Sequence, residues 1–66
     1  MELKDNLRTF RIEKRLTQGQ LAEKLNISLK TVSHWETGYT EPSVSQLIML
    51  ADLYCVSIDE LVGRDF

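Results

Sequence analysis

One cysteine, one histidine, one proline, three glycines and one tryptophan are spread over 66 residues, and each scarcity excludes something. A single cysteine closes no intrachain disulfide, and Cys55 with His34 alone makes no Cys/His metal cluster. So few prolines and glycines, set between regularly patterned stretches, exclude a disordered or low-complexity chain. No apolar run approaches the length of a membrane span, and the N-terminus alternates charged and apolar residues where a secretory signal would have an apolar core. These absences predict a soluble, cytoplasmic protein with no cofactor. No repeat or linker is visible, so residues 1–66 read as one domain. A chain this short buries only about 60% of its extended surface. With no disulfide or metal, its stability is expected from helix packing and a partner subunit. Cys55, between Tyr54 and Val56, reads as a small buried apolar residue; the alternative, a redox sensor, lacks a resolving cysteine.

A cationic excess is also missing: the formal net charge is −2. Its distribution matters more than its sum. Residues 1–36 carry seven of the eight basic residues (Lys4, Arg8, Arg11, Lys14, Arg15, Lys24 and Lys30) against five acids. Residues 37–66 carry only Arg64 against five acids. Net charge governs solubility, whereas phosphate binding depends on the local face. The asymmetry suits contact with a polyanion through the first half, with the acidic half turned away.

What the chain does have is helical periodicity punctuated by caps. The first helix is predicted over about residues 2–15, with Leu3, Leu7 and Phe10 as its buried stripe and Ile12 and Leu16 near its end. Thr17 caps a second, short helix that ends near Leu25, and Asn26 falls where the turn needs a left-handed residue. Ser28 caps a third helix, stopped by Gly38. After Glu41-Pro42, Ser43 caps a fourth helix whose Val44, Leu47, Ile48 and Ala51 fit the i, i+3, i+4, i+7 template. Ser57 caps a fifth, with Ile58, Leu61 and Val62 inward, Glu60 completing a capping box and Gly63 ending it. Two helices as short as the second and third, joined by so tight a turn, read as a helix-turn-helix that presents its second helix to the DNA major groove.

Stepping about 100° per residue from Ser28, Val32 and Trp35 fall on the core side. Lys30, Ser33, His34 and Thr37 gather on the opposite side. These are groups that hydrogen-bond base edges and phosphates. Leu29 lies on the border: it either reaches a thymine methyl or closes the core edge between the second and third helices. Gln18, in the first turn of the second helix, either adds a donor to a helix N-terminus suited to phosphate or is simply exposed. Gly19 is unusual inside a helix; it either admits a close DNA backbone or is neutral. Catalysis is not expected, because Ser33 and His34 are adjacent and point in different directions, and one histidine leaves no nucleophile–base–orienter set.

The run Thr17-Gln18, Leu21-Ala22-Glu23-Lys24-Leu25, Ile27-Ser28, Val32-Ser33, Trp35-Glu36-Thr37-Gly38 and Pro42-Ser43, with Leu47 to Ala51 and Val56-Ser57-Ile58-Asp59-Glu60-Leu61, resembles the phage repressor/Cro-type helix-turn-helix regulators, also called the xenobiotic-response-element family. The likeness covers about residues 3–63. It implies an all-α fold: a five-helix lambda-repressor-like DNA-binding domain whose helix-turn-helix is formed by helices 2 and 3. It implies that Gln18 clamps a phosphate and that Ser28, Leu29, Lys30, Ser33 and His34 meet bases or backbone. Thr37, Tyr39 and Thr40 would touch a second stretch of phosphates, and Arg11 with Glu36 would tie helix 1 to the end of helix 3. Two departures stand out: Leu29 where a polar residue is common, and Tyr39 and Glu41 in a loop that often carries Lys or Arg. Such regulators dimerise with their reading helices about 34 Å apart. The resemblance thus implies a homodimeric regulator, a repressor, on a near-palindromic double-stranded operator, with no small-molecule ligand and no membrane partner. Tyr54, Val56, Val62 and Phe66 are the expected dimer surface, unless the tail is simply frayed. The alternative is a protein-interaction module of antitoxin or anti-repressor type on the same fold.

Overall fold

In the computed structural model residues 2–63 are described, and every regular element among them is an α-helix: α1 (Leu3–Glu13), α2 (Gln18–Leu25), α3 (Leu29–Thr37), α4 (Val44–Tyr54) and α5 (Ile58–Val62). The caps explain where they start. The hydroxyls of Thr17, Ser28, Ser43 and Ser57 each accept from the backbone N–H three residues on. At Thr17, Ser43 and Ser57 the side chain of Gln20, Gln46 or Glu60 reaches back to the cap N–H, so two otherwise unpaired donors are satisfied at once.

The stops are more uniform than glycine placement predicts. α1 ends two residues before the expected boundary because Arg15 turns left-handed at φ 58°. Its N–H then reaches the Ile12 carbonyl at 2.9 Å, and the Leu16 N–H reaches that of Arg11 at 3.2 Å. This paired closure is the Schellman motif. It recurs at Asn26 (φ 57°), as the sequence predicts, and at Cys55 (φ 57°), which it does not. Cys55 is therefore no core residue: it is exposed, serving as the left-handed stop of α4.

α2 packs on α3, α1 packs on α3 and α5, and α4 packs on α5. Their shared core is Leu7, Leu21, Ala22, Leu25, Val32, Trp35, Leu50, Ala51, Tyr54 and Leu61, with Leu3, Phe10, Leu16, Leu47 and Val56 packed at its margin. The phase of α4 corrects the sequence reading. Val44 and Ile48 face out, and the helix instead buries Leu50, Ala51 and Tyr54. In α5, Leu61 is fully buried and Val62 half-buried, while Ile58 is partly exposed, at 39%. Tyr54 is a second correction. Its ring stacks on Phe10, with centroids 6.0 Å apart and planes 20° from parallel. At 1% exposure it offers nothing to a partner subunit. Phe66, also expected at that surface, lies outside the described residues.

Candidate nucleic-acid interface

α3 is held from behind. Val32 and Trp35, at 0% and 4% exposure, fix one side of the helix in the core. The opposite edge is left facing outward, with Leu29, Lys30 and Thr37 exposed and Ser33 and His34 half-buried. Leu29 is 54% exposed, which decides its ambiguity: it projects from the surface and does not close the core edge. Ser28, one residue before the helix, is committed locally. Its Oγ accepts the Thr31 N–H at 3.1 Å and shares a 2.8 Å hydrogen bond with the Thr31 hydroxyl. Thr31 escaped the sequence reading, although a hydroxyl three residues after a serine cap was a visible sign of such a pair.

Beyond α3 the chain doubles back through Gly38 at φ 81°. The His34 carbonyl gathers the turn: it accepts the Tyr39 N–H at 3.0 Å, the Thr40 N–H at 3.3 Å and the Thr37 hydroxyl at 3.3 Å. The reversal brings the Tyr39 ring back to the His34 imidazole, centroids 4.7 Å apart and tilted by 54°. Gly38 also lets α1 approach closely. A Cβ there would lie 3.0 Å from Cδ of Lys4, whose ammonium is 3.7 Å from Glu2. Lys4, read in the sequence only as part of a basic half, thus joins Tyr39 and Thr40 around one open cleft.

Three helices meet at Glu36. Arg11 of α1 donates to it twice, Nε to Oε2 at 2.7 Å and Nη2 to Oε1 at 3.0 Å, and Nη1 donates to the Leu16 carbonyl at 2.7 Å. Gln18 of α2 donates from Nε2 to Glu36 Oε1 at 3.2 Å. The two charged side chains are only 11% and 4% exposed. The hydrogen bonds to Glu36 raise the Arg11 pKa above its ordinary value, against the opposing effect of desolvation. Gln18 is therefore half-buried and oriented, with the rest of its amide uncommitted among the described residues. Nearby, burial pushes the Tyr54 phenol up to about 12; Glu36 adds to the shift and Arg11 opposes it. Of the expected subunit-contact residues, Val56 lies half-buried just before Ser57, and Val62 lies half-buried as the last residue of α5.

A short helix capped at both ends, locked to the core along one side and bare along the other, and set after a tight turn from its predecessor, defines a helix-turn-helix protein. The sequence profile of that family, described as helix-turn-helix, matches residues 7–61, and the chain belongs to it, within the phage repressor/Cro-type group. The HTH-type transcriptional activator BcrR of Enterococcus faecalis is 40% identical over 65 residues, covering 98% of this chain and 32% of that protein. The cryptic phage CTXphi transcriptional repressor RstR of Vibrio cholerae is 38% identical over 64 residues, covering 97% of this chain and 57% of RstR. The crystal structure of a transcriptional regulator from Listeria innocua superposes with a TM-score of 0.90 at 38% identity, covering 98% of this chain and 61% of the other. The chain thus spans between 32% and 57% of the length of these two curated relatives.

Proposed function

We propose that residues 1–66 form a single sequence-reading domain of a cytoplasmic transcriptional regulator, a repressor, that binds a near-palindromic double-stranded operator as a homodimer. The observation that carries this reading is the bare outer edge of α3, backed by the buried Val32 and Trp35. With α3 in the major groove, Lys30, Ser33 and His34 face base edges or adjoining phosphates, and Leu29 meets a thymine methyl. Gln18 donates to a phosphate at the start of α2, while Ser28, Thr37 and Thr40 flank the two backbone tracks, with Tyr39 beside them in the turn. Val56 and Val62 supply the described part of the subunit contact. Relatives carry the words activator and repressor alike; repression is favoured by this domain's simplest action, occupying a site.

Selection of bound sequences from random duplex DNA tests the reading. A near-palindrome with half-sites about one helical turn apart and a thymine preference under Leu29 is expected. Binding to that duplex in a gel shift is lost with Lys30→Ala combined with Gln18→Ala. The second reading, an antitoxin-type or anti-repressor protein-interaction module, has in its favour the exposed Val44, Ile48 and Met49 of α4. It would be preferred if the folded chain selects no duplex.

A further inference from the structure

We propose that Tyr39 acts on DNA recognition through His34, holding the imidazole in its reading orientation, and not as a direct phosphate contact. The inference rests on the DNA-reading function above and concerns how one base pair is specified. The backbone turn through Gly38 is fixed by three N–H bonds onto the His34 carbonyl, from Gly38 itself, from Tyr39 at 3.0 Å and from Thr40 at 3.3 Å. That turn delivers the Tyr39 ring to the His34 ring at 4.7 Å with a 54° tilt, within the range of favourable edge-to-face aromatic pairs. The same histidine is thus gripped at both ends: its carbonyl by the turn, its side chain by the ring that the turn carries.

The grip has a consequence for specificity. A half-buried histidine on the outer edge of a helix has several rotamers, and only one presents its ring nitrogens to a given base edge. Tyr39 occupies space on one side of the imidazole and removes rotamers that would swing into it. Tyr39 itself is 77% exposed, so little of its ring is used for packing the core, and the His34 ring is its one aromatic partner among the described residues.

The test uses the 66-residue chain, the duplex selected by it, and duplexes altered one base pair at a time. His34→Ala is expected to flatten the preference at one base pair, where a wrong base costs of the order of tenfold in affinity. Tyr39→Ala should flatten that same position, and the double variant should lose no more than either single one. Tyr39→Phe, which keeps the ring and removes the hydroxyl, should retain the full preference. In the free protein, the ring-current shift of the His34 imidazole protons should persist in Tyr39→Phe and vanish in Tyr39→Ala. The proposal is overturned if Tyr39→Phe and Tyr39→Ala weaken all duplexes alike, the mark of a phosphate contact. Additive effects at different base pairs also overturn it. A wild-type chain that selects no duplex at all overturns the DNA-reading function, and this inference with it; a wild-type chain that selects one while Tyr39→Ala leaves its preferences unchanged overturns this inference alone. Because Tyr39 is so exposed, both variants are expected to unfold at the wild-type midpoint.

Discussion

Tyr54 and the Arg11–Glu36 pair set the terms at the scale of single residues. The Tyr54 hydroxyl is buried with no hydrogen-bond partner among the described residues, and a buried unpaired hydroxyl costs about 1–3 kcal/mol. Tyr54→Phe keeps the stacking on Phe10 and is expected to raise the urea midpoint, by about 1 kcal/mol in stability. It should also change the alkaline limb. Burial raises the phenol from 10.0 to about 12, so the fold favours the neutral form; its contribution is intact below pH 10 and is lost as pH rises from 10 towards 12. Wild type should lose stability across that window and Tyr54→Phe should lose less, as read from urea midpoints at successive pH values. The ion pair behaves differently. Glu36→Ala strands a mostly buried guanidinium and is expected to cost about 3–5 kcal/mol. Arg11→Met with Glu36→Leu removes both charges and should recover much of that loss in the same denaturation experiment. The identity of this pair was legible through family resemblance alone; that Gln18 would join it was not, because the contact depends on how α2 and α3 cross.

At the scale of elements, caps were the legible part. Thr17, Ser28, Ser43 and Ser57 each put a side-chain acceptor where a helix has unpaired N–H groups, and that chemistry is local enough to be read from sequence. The phase of α4 was not. Its apolar residues satisfy two helical registers, Val44/Leu47/Ile48/Ala51 and Leu47/Leu50/Ala51/Tyr54, and only contact with α5 and Phe10 of α1 selects the second. The stops at Arg15 and Cys55 were also illegible, because a non-glycine residue in the left-handed region is disfavoured and is held there by the hydrogen bonds around it. Cys55→Gly relieves that conformation and is expected to stabilise the protein by about 1 kcal/mol, seen as a higher thermal midpoint. Gly19 offers the reverse substitution. A Cβ there would meet only Thr17 Oγ1, at 3.9 Å, so Gly19→Ala should strengthen α2 by about 1 kcal/mol, measured in the same way.

For the whole molecule, charge placement governs how binding should depend on salt. Among the described residues, Lys30 on α3 and Lys4 beside Gly38 are the cations taken to serve the outer edge of α3 and its loop, in a chain of net charge −2. Each phosphate neutralised contributes about 0.9 to the slope of log affinity against log salt. A two-subunit complex using these groups is therefore expected to show a slope no steeper than about −4. Titration of the selected duplex at several salt concentrations checks this, and a value near −10 would require many more phosphate contacts than these residues supply. Among the residues expected at a subunit surface, Tyr54 is the one that the structure moves to the core. Tyr54 was apolar enough for either a core or an interface, and its burial was decided by Phe10, forty-four positions away in the chain.

Trp35, the chain's only tryptophan, stands directly behind the exposed edge of α3 and is almost wholly enclosed. Its emission is therefore a built-in optical gauge that needs no label. A rigid domain that docks without rearranging would leave the wavelength of that signal in place on titration with duplex. A red shift would reveal that docking loosens the protein's interior and lets water reach the indole.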